Sequence, residues 1–135
     1  MASLAMVTGA SSGIGEAYAE RLAAEGHDLI VVARSADRLR DLEARLEATH
    51  GIAVEALGAD LGNSADLERV CAAIDKAALE LLVNNAGLAH YMPFAELAPA
   101  QAEELVRLNA LAPVLLSRAE QVFSNRVGSK RKTSD

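Results

Sequence analysis

The chain has 135 residues, of which 51% are hydrophobic and 3% aromatic, and a formal charge of −6 at pH 7. This length accommodates one domain but not two of ordinary size, and the hydrophobic fraction is too high for intrinsic disorder. The net charge argues against nucleic-acid binding, and no apolar run approaches the ~20 residues that a membrane-spanning helix needs. The lone Cys71 cannot form an intrachain disulfide, so we expect a cytoplasmic protein in a reducing compartment.

Charge divides the chain into two parts. Residues 1–123 carry 9 basic and 18 acidic side chains, a net charge of −9, whereas residues 124–135 carry 4 basic and 1 acidic, a net charge of +3. The second part contains one apolar residue, Val127. We therefore predict a folded unit over 1–123 and a disordered basic tail over 124–135. One cysteine and three scattered histidines predict no metal site.

Apolar runs and turn residues predict alternating strands and helices. The stretches 3–8, 29–33, 52–57 and 79–83 are short and apolar, which is typical of strands buried in a parallel sheet. Helical spacing predicts a helix after each strand, the last over residues 99–119. Strands that alternate with helices imply βαβ crossovers, so the fold class is a doubly wound α/β sheet of the Rossmann type.

Local signals mark the helix boundaries and a candidate core. Ser35 is expected to cap the second helix, which ends near Gly51, and Asn63 or Ser64 to cap the third. On the first helix, Tyr18 shares an apolar face with its neighbours Ile14, Ala17 and Leu22 and is predicted to lie in the core. Cys71 falls in the apolar stripe of the third helix, which favours a core residue over a reactive thiol.

A glycine-rich turn links the first strand to the first helix. Residues 8–15 read Thr-Gly-Ala-Ser-Ser-Gly-Ile-Gly. Glycines allow a sharp turn and a close approach of the backbone to a pyrophosphate, and the helix N-terminus offers free N–H groups. A merely tight strand-to-helix turn would also use glycines, and the G-x-x-x-G-x-G spacing differs from the general G-x-G-x-x-G pattern.

That spacing resembles the cofactor turn of the short-chain dehydrogenase/reductase family. Three further family motifs are matched in order by Asp60-Leu61 after the third strand, Asn84-Asn85-Ala86-Gly87 after the fourth and Asn109 in the following helix. The likeness covers residues 3 to about 119. It implies the strand order 3-2-1-4 and a role in hydride transfer between a nicotinamide dinucleotide and a small carbonyl or alcohol substrate, which the sequence does not identify.

The resemblance also implies a set of cofactor-binding residues. They are Gly9, Ser11, Ser12, Gly13, Ile14, Gly15, Asp60, Leu61, Asn85, Ala86 and Gly87. Among them, Asp60 would bind the adenine amino group and Asn85 would lie against a ribose.

The end of the second strand bears on which cofactor is bound. In dinucleotide-binding folds an acidic side chain about 20 residues past the turn holds the ribose 2′-hydroxyl, whereas an arginine there accommodates a 2′-phosphate. Arg34 stands 19 residues after Gly15 and is followed by Ser35, so NADP is favoured over NAD. A solvated loop arginine is the alternative, and Ser12 stands where NADP-preferring relatives often carry a basic residue.

The helical segment 99–119 holds the one candidate catalytic residue, Asn109. Pro113 has no N–H, so the carbonyl of Asn109 loses its helical partner and is free to bind something else. Family members use this Asn to hold a water molecule in a proton relay. A kinked helix that happens to carry a polar residue is the alternative.

Part of the family's catalytic machinery is missing. The family uses a Ser and a Tyr with a Lys four residues later, but the two tyrosines here, Tyr18 and Tyr91, are followed at that distance by Leu22 and Ala95. We expect a truncated, NADP-binding portion that is inactive alone, so its status as an enzyme stays open. The alternatives are a sequence artefact of a longer active reductase, and a non-catalytic NADP(H)-sensing or interaction module.

The expected strand order leaves one apolar strand at the edge of the sheet. Strand 79–83 would have no neighbour on one side, which invites self-association or a complementing chain. After this strand, His90, Tyr91 and Phe94 could line a substrate wall, although His90 is more simply interpreted as an ordinary loop residue.

Overall fold

The computed structural model describes residues 3–131, and the side-chain environments of residues 3–122. Its strands are β1 Leu4–Thr8, β2 Asp28–Ala33, β3 Val54–Gly58 and β4 Leu79–Val83. Its helices are α1 Gly13–Ala24, α2 Ala36–His50, α3 Ser64–Lys76, α4 Pro99–Val106 and α5 Ala112–Arg131. A 3₁₀ turn covers Phe94–Glu96, and a π-helical turn over Arg107–Leu111 joins α4 to α5.

The four strands form one parallel sheet in the order β3-β2-β1-β4, which confirms the predicted fold class and strand order. Val7 of β1 pairs with Val31 of β2 and with Val83 of β4. The pairing of β1 with β4 is irregular between Leu4 and Ala5, opposite Glu80. All four strands end at the same edge of the sheet, where ligands of open α/β sheets bind.

Alternate side chains of the strands fill two cores, one on each face of the sheet. On one face, Ala5, Val7 and Val31 pack with α1 and α2. On the other face, Met6 and Val32 pack with α3, α5 and the π turn. Helices α1, α2, α3 and α5 therefore bury apolar residues against the sheet, whereas α4 has no buried residue. Hydrophobic burial on both faces stabilises the sheet.

Two predictions for buried side chains have different outcomes. Tyr18 is 50% exposed and Ile14 70% exposed, so the prediction of a core Tyr18 is wrong. The buried residues of α1 are small or lie further round the helix: Gly15, Ala19, Leu22 and Ala23. Cys71 is half-buried against the second core, and this burial raises the pKa of its thiol.

The C-terminal region differs from the sequence prediction. Helix α5 continues to Arg131 over residues that were predicted to be disordered from 124 onward. Polar and basic residues such as arginine and lysine have good helix propensity, and no proline after Pro113 interrupts the helix. Residues 132–135 of the predicted tail lie outside the described range. Among the helices of the described residues, none is long and apolar enough to cross a membrane.

Candidate functional site

A cleft of about 610 Å³ opens at the carboxyl ends of the strands. It is lined by Gly9, Ser11, Ser12, Val32, Ala33, Arg34, Ser35, Arg38, Ala59, Asp60, Leu61, Asn85, Ala86, Gly87 and Leu108. The cleft thus brings together the loops that follow all four strands. Of the residues predicted to bind the cofactor, Gly13, Ile14 and Gly15 do not line it; they begin α1 beside it.

The β1–α1 turn requires glycine for two different reasons. Gly9 and Gly13 have φ angles of +64° and +57°, in the left-handed region that side chains disfavour. Gly15 is needed for close packing, because a Cβ there would lie 2.1 Å from the carbonyl oxygen of Gly9 and 2.5 Å from Nδ2 of Asn85. The turn is therefore folded back against both its own first residue and the loop after β4.

The N-terminus of α1 is not capped by a side chain. Ser12 adopts an extended conformation as the residue before the helix, but its hydroxyl makes no capping hydrogen bond. In contrast, the Ser35 hydroxyl accepts from the N–H of Arg38 at the start of α2. The first N–H groups of a helix have no acceptor within it, so α1 presents donors that can bind an anion.

Buried Thr8 ties this turn to the loop after β4. Its hydroxyl accepts hydrogen bonds from the N–H groups of Asn85 and Ala86, both at 3.0 Å, and donates to the carbonyl of Val83 at 3.4 Å. Asn85 returns a hydrogen bond from Nδ2 to the carbonyl of Gly9 at 3.2 Å. Sequence reasoning did not assign Thr8 to the site, although a polar residue that ends a buried strand just before the glycines was a usable signal.

Two arginines stand at the β2 side of the cleft. Arg34 follows β2, and Arg38 lies one helical turn further on in α2. Both are exposed, and neither guanidinium group has a hydrogen bond or ion pair in the described part of the chain. The sequence analysis did not assign Arg38 to the site. Its position four residues after Arg34, with the cap residue Ser35 between them, was a signal that could have identified it.

The loop after β3 is fixed by its own side chains. Oδ1 of Asp60 accepts from the N–H of Gly62 at 2.9 Å, and the N–H of Asp60 donates to the carboxylate of Asp66 at 2.8 Å. That hydrogen bond, together with the Arg69 guanidinium, lowers the pKa of Asp66. Leu61 is 4% exposed. Asp60 and Leu61 both belong to this loop and line the cleft.

Asn109 lies in the π-helical turn, outside the lining of the cleft. Its Nδ2 donates to the carbonyl of Leu88 at 2.6 Å, and its Oδ1 accepts from the N–H of Leu88 at 2.9 Å. The side chain therefore holds the loop after β4, while the neighbouring Leu108 lines the cleft. Pro113 follows the turn and cannot donate to the Asn109 carbonyl.

The aromatic residues after β4 do not form a wall of the cleft. Tyr91 and Phe94 are 97% and 89% exposed. Nε2 of His90 is buried and has no hydrogen-bond partner in the described structure. Over the same residues, no group of three or more His, Cys, Asp or Glu side chains could hold a metal ion.

The parallel sheet, the glycine turn and the basic cleft define a nucleotide-binding α/β protein. A family model described as short chain dehydrogenase matches residues 3–128, and the chain belongs to this family. The match extends past residue 119, where the sequence likeness was expected to stop.

Solved structures of similar proteins share this fold. A short-chain dehydrogenase from Sphingobium yanoikuyae in complex with NADPH is 45% identical with a TM-score of 0.86, over 87% of this chain and 46% of that one. A bulky-bulky ketone specific alcohol dehydrogenase from Comamonas testosteroni is 37% identical with a TM-score of 0.86, over 87% of this chain and 48% of that one. This chain therefore spans about half the length of these proteins.

Curated relatives include very-long-chain 3-oxoacyl-CoA reductases. The one from Pyrenophora tritici-repentis is 34% identical in an alignment of 120 residues that covers 84% of this chain and 35% of the relative. The chain thus spans about a third of the length of these reductases.

Proposed function

We propose that the cleft binds NADP(H). The observation that carries this proposal is the pair Arg34 and Arg38, two unengaged guanidinium groups that line one end of the cleft beside the hydroxyl of Ser35. Guanidinium groups bind phosphate through charge-assisted, often bidentate hydrogen bonds. The Sphingobium yanoikuyae relative was solved with NADPH, which supports the same cofactor here.

The other parts of the cleft suit the rest of a dinucleotide. The uncapped N-terminus of α1 and the open backbone at Gly9 fit a pyrophosphate, which needs N–H donors and close approach. Asp60 is proposed to bind the adenine amino group and Asn85 to lie against a ribose. Arg38 would supply the second positive charge that the glycine turn lacks at Ser12.

In the complete family domain, the reaction we propose is hydride transfer between the nicotinamide and a carbonyl or alcohol. The cofactor supplies or accepts the hydride when bound. The residues of this chain would bind and orient it, and the Asn109 carbonyl would hold a water of the proton relay. We propose that the 135-residue chain does not turn over, because neither tyrosine has a lysine four residues later.

A second candidate function is a non-catalytic module that senses NADP(H). A formed cofactor cleft without a Tyr-x-x-x-Lys pair in the sequence favours it. Its expected location is cytoplasmic, where the half-buried Cys71 would stay reduced.

Calorimetric titration with NADPH and NADH tests the cofactor assignment. We expect tighter binding of NADPH, a loss of about 10- to 100-fold in NADPH affinity for Arg34→Asp, and a smaller loss for Arg38→Ala, because each charged hydrogen bond contributes about 1.5–3 kcal/mol. Arg40→Ala is the control, since Arg40 is exposed on α2 but does not line the cleft. Equal affinity for both cofactors in wild type and variants would contradict the phosphate assignment.

An activity assay tests the proposed inactivity of the chain, which both candidate functions share. NADPH oxidation in the presence of a ketone panel is expected to stay at background for the 135-residue chain. Turnover would exclude the sensing module and the proposed inactivity, while leaving the cofactor assignment intact.

A further inference from the structure

Asp60, which is proposed to bind the adenine amino group, stands between two buried residues. Ala59 and Leu61 are 5% and 4% exposed, and both pack in the core that contains the apolar side chains of α3. The N–H of Ala59 donates to the carbonyl of Ala33 at 2.9 Å. The main chain on both sides of Asp60 is therefore held to the sheet, while Asp60 itself lies half-buried at the cleft.

Three hydrogen bonds fix Asp60 in this loop. Its N–H donates to the carboxylate of Asp66 at 2.8 Å, and its carbonyl accepts from the N–H of Asn63 at 2.9 Å. Its side-chain Oδ1 accepts from the N–H of Gly62 at 2.9 Å. Since a carboxylate has about four acceptor positions, Asp60 keeps acceptors for a ligand in the cleft besides this last bond.

Asp66 is itself held from two sides. It lies in the first turn of α3, where its N–H donates to the side chain of the cap residue Asn63 at 3.1 Å. Its Oδ1 accepts from the guanidinium of Arg69 at 3.2 Å, and the same guanidinium donates to the carbonyl of Gly58 at 2.7 Å. The carboxylate that holds the N–H of Asp60 is thus tied both to α3 and to the end of β3.

The charges of this group favour an ionised Asp66. The hydrogen bond from Asp60, together with the Arg69 guanidinium, lowers the pKa of the Asp66 carboxyl group, so that it accepts as a carboxylate at neutral pH. The positive charge of Arg69 also offsets the negative charge that Asp66 brings close to Asp60. The loop after β3 therefore gains an anchoring carboxylate without gaining net charge.

We propose that Asp66, together with Arg69, is a positioning residue that makes the cleft selective for adenine over hypoxanthine. Adenine carries an amino donor where hypoxanthine carries a carbonyl oxygen, and a carboxylate accepts from the first and repels the second. Such a contact discriminates only while its carboxylate is held in place by neighbouring groups, because a mobile side chain turns away from the wrong base. This inference rests on the proposed cofactor site and concerns how its adenine end is held.

Calorimetric titration of the full chain with NADPH and with reduced nicotinamide hypoxanthine dinucleotide phosphate tests this selectivity. We expect the wild type to bind NADPH about 10- to 100-fold more tightly, the factor that a hydrogen bond to a charged group provides. Asp60→Ala should bring this ratio of affinities to about 1, and Asp66→Ala should lower it at least about threefold. Asp66→Asn should keep most of the ratio, because its amide oxygen still accepts from the N–H of Asp60.

Two further variants keep the test sharp. Glu68→Ala is the matched control and should leave the ratio unchanged, since Glu68 is exposed on the same helix and does not line the cleft. Far-UV circular dichroism shows whether each variant folds. If Asp66→Ala does not fold, Arg69→Met tests the same role, because it removes the tie of Asp66 to Gly58 and should lower the ratio to a smaller extent.

Each outcome supports or overturns the inference. A lowered ratio in Asp66→Ala that Asp66→Asn restores supports it, because a merely structural defect would weaken the binding of both cofactors equally. An equal loss for both cofactors, or no loss for either, overturns the positioning role. A wild type that binds the two cofactors equally well also overturns it and leaves the 2′-phosphate assignment intact, whereas a wild type that binds neither overturns the proposed function itself.

Discussion

Helices α1 and α3 both follow a strand end on the same edge of the sheet, yet they begin in opposite ways. The side chain of Asn63 caps α3 by accepting from the N–H of Asp66 at 3.1 Å, and the Asp66 carboxylate in turn accepts from the N–H of Asp60. Ser12 makes no such bond at α1. The first N–H groups of α3 thus include one that is bonded to a side chain, and this helix also anchors the loop before it. The first N–H groups of α1 have no side-chain cap and are left for a ligand.

The largest effect on stability is expected from Gly15→Ala, which disrupts packing at the uncapped N-terminus of α1. The new Cβ would lie 2.1 Å from the Gly9 carbonyl oxygen, a backbone atom that cannot move freely. We expect a loss of about 3 kcal/mol or more in the free energy of unfolding and no NADPH binding. Gly13→Ala is the control, because no atom lies within 4 Å of a Cβ at that position. Only the positive φ angle should then lower the free energy of unfolding, by about 1 kcal/mol. If urea denaturation gives the same loss of stability for Gly15→Ala and Gly13→Ala, close packing is not the reason for glycine at position 15.

Thr8→Val should have the next largest effect, because it removes the acceptor that holds the loop after β4 against the α1 turn. The partly buried N–H groups of Asn85 and Ala86 would lose their partner, at a cost of about 2 kcal/mol. Thr8→Ser keeps the hydroxyl and should lose about 1 kcal/mol for the missing methyl group. If urea denaturation ranks Ser below Val in stability, the hydroxyl is not what holds the loop.

A pair of cap variants sharpens the comparison directly. Asn63→Ala should cost about 1 kcal/mol of stability, since it removes a cap from α3. Ser12→Ala removes no cap, so it should leave the thermal midpoint unchanged while weakening NADPH binding in calorimetry. A loss of stability in Ser12→Ala equal to that of Asn63→Ala would mean that both helices begin alike.

The smallest effect is expected at Glu20 of α1, whose carboxylate contacts His50 and Arg45 of α2. Hydrogen bonding from His50 is the main cause that lowers the pKa of Glu20 below its ordinary value of 4.5, helped by Arg45. A lowered carboxyl pKa adds stability above the unfolded-state pKa, and this stability is lost as the pH falls through the folded value.

Glu20→Gln should therefore weaken the chain slightly at pH 7 and reduce the further loss of stability below about pH 4.5. The effect is small because Glu20 is 40% exposed. Glu25→Gln, which removes an ion pair with Arg21 only, is the control. Parallel urea midpoints against pH for wild type and Glu20→Gln would contradict this role of Glu20.

Much of this molecule could be predicted from its sequence because the signals are local. The strands, the caps at Ser35 and Asn63 and the sheet order follow from apolar runs, polar cap residues and ordered motifs. Tyr18 was placed wrongly because helical spacing gives the period of a stripe but not which flank meets a neighbour. The role of Thr8 depends on contacts with Asn85 and Ala86, which lie far along the chain and which spacing alone does not show. Arg38 lies close to Arg34 in the chain, so its spacing from Arg34 could have indicated it.

The π-helical turn over Arg107–Leu111 fits one more residue into the chain than an α-helical turn would. This extra residue sets the rotation of everything after it, including the buried Ala112 and Leu116 of α5. Removing Ala110 would turn α5 by about 100° relative to α4. The hydrogen bonds of Asn109 to Leu88 and the packing of α5 on the sheet thus both depend on the one extra residue in the π-helical turn. We therefore expect an insertion or deletion in this segment to be tolerated less well than a substitution.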